Sequence, residues 1–175
     1  GDVYKRQAGK EGRDERLRRV GVGICSALSL SPFVLGPVVF GPLTGRRQSV
    51  PRGELRGLEL AIRLTLGALV YTTDNDEVAR GWYERLYERP YGALASIWRE
   101  IGVLLKTRIG SVVVLKVTSH VAPSDSVYRR YPSWMIAGNE AADELARVAA
   151  QNSRVAEAHR CRVAEAESMA RLVRR

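Results

Sequence analysis

The run "SVVVLKVTS", Ser111 to Ser119, constrains the fold more than any other stretch of this chain. Five of its nine residues are β-branched. Such side chains are stiff at χ1 and pack well on a pleated surface, so the run predicts a buried strand that delivers His120 at its end. A loop from Val121 to Ala137 follows, with Pro123, Pro132 and then Gly138. It feeds a last helix that begins "GNEAADELARVAA".

A strand so placed asks what its neighbours are. Val20 to Leu30 mixes β-branched and small apolar residues, and "FVLGPVVFGPL" (Phe33 to Leu43) reads as a second strand, joined to the first as a hairpin at "SLSP". "TGRRQSVPRGEL" is a turn into a helix. Ser49 stands at the cap, Pro51 suits the first turn, and Leu55, Leu58 and Ile62 recur at helical spacing. Ala68 to Thr73 is a short buried strand that ends on Asp74, and helices follow over Glu77 to Tyr87 and Ala93 to Leu105. The order strand, strand, helix, strand, helix, helix, strand, helix is an α/β layout with helices packed on a mixed sheet. Ligands in such sheets gather beside strand ends, where Asp74 and His120 fall.

At 175 residues the chain supports one core. We divide it into a basic, irregular start (1–18), a domain (19–150) and a helical extension or linker (151–175). Val20 to Leu43 is broken by Ser, Gly and Pro, which argues for strands over a membrane span and for a soluble protein. Cys25 and Cys161 show no metal-ligand spacing, so a reducing, intracellular setting (cytoplasm or nucleus) is expected. The formal net charge of +9 points to an anionic partner, nucleic acid above all, against the plainer reading of a solvated basic surface. If helical throughout, Gly138 to Arg175 would extend about 57 Å at ~1.5 Å per residue, so the tail must project beyond a small domain.

Glu54, Asp74 and Asp143 lie far apart in sequence at element ends that can converge. Convergent carboxylates repel unless a cation lies between them, and magnesium, an oxygen-seeking ion, suits such a site. Each acid also has a plainer role. Glu54 and Asp143 fall in expected first helical turns, where the helix dipole favours acids, and Asp74 could cap the next helix.

In order, "QSVPRGELRGLELAI", "YTTDNDEV", "VLKVTSH" and "GNEAADELARVAA" resemble the type 1 ribonuclease H family, over about Val20 to Ala150. The resemblance implies a ribonuclease H-like fold and hydrolysis of the RNA strand of RNA·DNA hybrids. It implies two magnesium ions, with manganese as the substitute, on Glu54, Asp74 and Asp143. His120 matches the family's mobile-loop histidine, held to help product release or proton movement. Asn139 and Glu140 would set the geometry around Asp143. Arg46, Arg47, Asn75, Arg129, Arg130 and Asn139 are the candidate nucleic-acid contacts. Trp82, Tyr83 and Trp134 either pack in the core, the heavier reading, or against sugars. A monomer with no membrane partner is expected, and the resemblance implies a domain of a retroelement-type polyprotein, covalently linked to a reverse transcriptase.

One departure stands out. The family opens with a strand that carries a metal-bridging aspartate in a D-G-S/T context, whereas this chain reads "GDVYKRQAGKEGRDERLRR" there. Asp2 and Asp14 lie in no strand-like setting. Either the chain is a fragment whose true start has been replaced, or it is a catalytically dead relative. Retention of Glu54, Asp74, His120 and Asp143 favours the fragment. On both readings metal binding is expected to be poor, and cleavage slow or absent. The alternatives are a non-catalytic ribonuclease H-like module that binds nucleic acid or connects domains, and a basic helical protein-binding module.

Overall fold

The computed structural model describes residues 19–30, 32–45, 48–118, 124, 130–153, 161–162, 165 and 169. Its elements run β1 (Gly21–Leu30), β2 (Phe33–Pro42), α1 (Val50–Leu64), β3 (Leu69–Thr73), α2 (Asp76–Tyr83), α3 (Ala95–Thr107), β4 (Val112–Lys116) and α4 (Ser133–Asn152). The predicted α/β order is present in full. Among the described residues, no helix is long and apolar enough to cross a membrane.

β1 and β2 pair antiparallel, from Gly21 opposite Pro42 to Leu30 opposite Phe33, as the hairpin reading requires. The register shifts between Cys25 and Ala27 and again between Ala27 and Ser29, so the ribbon bends at mid-length. β3 and β4 pair parallel, Leu69 with Val112 through Thr73 with Lys116. The expected mixed sheet is thus divided, among the described residues, into an antiparallel pair and a parallel pair.

α1 holds the two pairs together. Gly57 faces the Tyr71 hydroxyl of β3 on one side and Val22 and Ile24 of β1 on the other. The opposite face of β1 lies against α4. A Cβ built on Gly21 would stand 1.9 Å from the Ala146 carbonyl oxygen, and one on Gly23 would stand 2.3 Å from that of Ala142. Only glycine permits this approach of helix to strand. The buried Gln48 locks the turn before α1. Its amide nitrogen donates to the carbonyls of Leu43 (2.8 Å) and Gly45 (2.7 Å), and its oxygen accepts the Val20 amide (2.9 Å).

The main core lies on the parallel side, where Leu55, Leu58 and Ile62 of α1 meet Val78 of α2, Ile97, Trp98 and Ile101 of α3, and Val114 of β4. Trp82 packs at its margin, with its ring centroid 4.9 Å from that of Tyr87. Tyr83 is exposed and Trp134 half-buried.

Two boundaries differ from expectation. α2 ends at Tyr83 instead of Tyr87 because Arg85 turns to φ 57°, and the Leu86 amide then reaches back to the Gly81 carbonyl (2.9 Å), a terminal hydrogen bond that closes the helix. α4 starts at Ser133, directly after Pro132, so residues 133–137 are helix where a loop was expected. Of the expected tail helix, α4 is continuous to Asn152. Beyond Ser153, only Cys161, Arg162, Glu165 and Met169 are described, all helical.

Candidate functional site

The carboxylates occupy positions that local helix chemistry does not require. α1 and α4 have no acidic residue in their first turns, because Glu54 is the fifth residue of α1 and Asp143 the eleventh of α4. The helix-dipole explanation for both is therefore corrected: the dipole acts within the first turn. Asp74 is not the cap of α2 either. Asn75 takes that place, and its Oδ1 accepts the Val78 amide at 3.1 Å. The cap duty thus falls to Asn75 and the Asp74 carboxylate is released from it.

Glu54 senses both of the other acids. Glu54 is pushed up to about 7, first by burial, then by the Asp74 charge, with a smaller push from Asp143. A hydrogen bond from Thr73 Oγ1 to Glu54 Oε2 (3.2 Å) opposes the rise. Thr73 is buried, and its Oγ1 also accepts the Asn75 amide at 3.2 Å. It thereby links the end of β3 to α1. Below it, the Tyr71 hydroxyl donates to the Glu54 carbonyl (3.3 Å), and burial first, then the Glu54 and Asp74 charges, drive the phenol well above its ordinary range.

The end of β4 adds a cation that sequence reasoning passed over. Lys116 Nζ donates to the Asp74 carbonyl (2.7 Å) and the Val117 carbonyl (2.8 Å), and lies 3.5 Å from Asp76 Oδ1. The available signal was a lone lysine inside a β-branched run. A second cluster serves structure: burial raises the Glu59 carboxyl, but hydrogen bonds from Arg56 and Arg63 outweigh it and hold the group below its usual range.

α4 is fixed near its start by Cys25, whose thiol donates to the Gly138 carbonyl (3.2 Å) and is itself raised by burial. Cys161 is exposed. Asn139 is half-buried and Glu140 exposed, both in the second turn of α4 and not at its opening. Arg130 is exposed. Arg46, Arg47, His120 and Arg129 lie outside the described residues. A shallow cavity between α2 and α3, lined by Arg80, Tyr91 and Trp98 among others, includes none of the three acids.

An all-oxygen donor set with a raised carboxyl suits a hard divalent cation. The fit is partial: among the described residues, no three His, Cys, Asp or Glu side chains stand close enough together to hold an ion. No strand among them carries an aspartate.

No protein-family model and no curated protein matches the sequence. Among solved structures, the chain is similar to the PFV RNase H domain, with TM-score 0.55 and 19% identity over 75% of this chain and 81% of that one. The split α/β scaffold, with α1 and the end of β3 bringing Glu54 to Asp74, has the fold of a ribonuclease H domain.

Proposed function

We propose that this chain is a ribonuclease H-type nuclease domain acting on the RNA strand of RNA·DNA hybrids, with Glu54, Asp74 and Asp143 as its metal-holding carboxylates. The observation that carries the proposal is the rise of Glu54 to about 7, through burial first and then the charges of Asp74 and Asp143, on a ribonuclease H-like fold. A cation beside Glu54 would oppose both causes of the rise, the burial and the neighbouring negative charges, and favour the ionised carboxylate. Divalent cations, when bound, supply activation of water and stabilisation of the leaving oxygen. Magnesium is the expected ion and manganese its substitute. The net charge of +9 supplies backbone attraction, with Arg46, Arg47, Arg129 and Arg130 as basic contacts and Asn75 and Asn139 as polar ones. His120 is assigned to product release or proton movement. Hybrid geometry is read through groove shape and 2′-hydroxyls, which needs no base-specific contact. An intracellular setting, a monomer, the 19–150 domain limits and covalent linkage to a reverse transcriptase complete the proposal.

A second reading is a module that binds nucleic acid without cutting it. The absence of a closed metal cluster and of a strand aspartate among the described residues favours it. A labelled RNA·DNA hybrid, incubated with excess protein with and without magnesium, separates the two. The nuclease reading expects slow, magnesium-dependent cutting that Asp74→Asn abolishes and that a preceding strand carrying an aspartate accelerates. Binding without cutting, with or without that strand, selects the second reading.

A further inference from the structure

We propose that Lys116 is a positioning residue for Asp74, clasping the ends of β3 and β4 where their ladder stops. The last ladder contact is the Val117 amide to the Thr73 carbonyl (2.9 Å), and Thr73 lies opposite Lys116. Past that point the chains diverge, with Asp74 leading into α2 and Val117 leaving β4. Their carbonyls would be left at the rim of the site without a strand partner. The Lys116 ammonium takes both, at 2.7 Å from Asp74 and 2.8 Å from Val117. An ammonium has three donors and no acceptor, so one group can extend the ladder by a residue on each strand. The third direction faces Asp76 at 3.5 Å, an exposed pair of small worth in water.

The consequence is positional. Asp74 has lost the anchoring that a cap hydrogen bond would give, since Asn75 does the capping. Its carboxylate nevertheless stays near enough to Glu54 to shift it. Two grips on its backbone explain this: Thr73 Oγ1 on the Asn75 amide on one side, and Lys116 on its own carbonyl. Removing a partner that hydrogen-bonds a metal-holding side chain typically changes metal affinity about 10- to 100-fold, and Lys116, which grips the backbone of Asp74 and not its carboxylate, belongs at the low end of that range.

The inference rests on the metal reading for its functional consequence, and the experiment keeps the two apart. Lys116→Met retains the stem and removes the donors, Lys116→Arg restores donors, and Asp76→Asn removes the exposed ion pair alone. Each variant is checked for an unchanged melting temperature. Magnesium affinity is then titrated by calorimetry and amide hydrogen exchange is followed by NMR. Lys116→Met should weaken magnesium about tenfold, and speed exchange at Asn75 and Val117 with Val113 to Leu115 unchanged. Lys116→Arg should recover part of both effects, and Asp76→Asn should show neither. Equal exchange and magnesium affinity within twofold in Lys116→Met would overturn the proposal. If the unsubstituted chain binds no magnesium, the metal reading fails, and exchange at Asn75 and Val117 alone decides whether the clasp exists.

Discussion

The segment from Val50 to Lys116 and the hairpin from Gly21 to Pro42 are both rich in large apolar side chains, yet they bury them differently. In the first, Leu55, Leu58, Val78, Ile101 and Trp98 are at most 2% exposed. In the second, Leu28 is 73% exposed and Phe40 46%, with Leu30, Val34, Leu35, Val38 and Val39 open as well. The difference lies in the neighbours. α1, α2 and α3 each present one apolar stripe to a common centre, so burial is mutual. The first half of β1, Gly21 to Ile24, is covered on both faces, by α1 and by α4, whereas Leu28 and Leu30 in its second half lie open, and β2 has no described strand beyond it. An apolar strand buries what its neighbours cover, and no more.

The largest test of this contrast is truncation. Trp98→Ala should cost about 3–5 kcal/mol in urea-induced unfolding, because a nearly sealed ring leaves a cavity. Phe40→Ala should cost about 1 kcal/mol, since only about half of the residue is withdrawn from water. Equal losses would mean the hairpin is as well packed as the core.

A second test sharpens the contrast at the carboxylates. Glu54 has its folded pKa raised from 4.5 to about 7. Below 4.5 it is protonated in both states and costs nothing; as pH rises toward 7 the unfolded chain ionises first, and stability is lost. Without added metal, unfolding free energy should fall by up to about 3 kcal/mol between pH 4.5 and 7.5 from this group. Glu54→Gln should flatten that part of the pH profile. A profile unchanged by the substitution would show that Glu54 is not desolvated.

The smallest expected effects compare two glycines of the hairpin. Gly23→Val drives a side chain into the Ala142 carbonyl and should cost about 1–3 kcal/mol by overpacking. Gly41→Ala meets open space and should be neutral, or stabilise by about 0.5 kcal/mol through the unfolded chain. Chemical denaturation of both variants decides whether α4 rests on β1 and leaves this end of β2 uncovered.

Much of the architecture was legible in the residues. β-branching marked β4, apolar spacing marked α1, and the hairpin join fell between Leu30 and Phe33. The end of α2 was missed because nothing in "YERLYERPYG" announces that a non-glycine residue, Arg85, takes the left-handed turn. The start of α4 was missed for a related reason. Pro132 fits a helix start as well as a loop, and Gly138 masked the helix that runs through it.

The candidate site divides in the same way. The sequence by itself determined which residue types are available: acids at Glu54, Asp74 and Asp143 on elements whose order places strand ends beside helices. Only the tertiary structure decided that Asn75 and not Asp74 caps α2, that burial and two neighbouring charges lift Glu54 to about 7, and that Lys116 reaches across to the Asp74 carbonyl. The physical reason is one of range. Propensity and periodicity act within a few residues along the chain, whereas desolvation, charge coupling and the closure of open carbonyls depend on which atoms meet after the chain has folded.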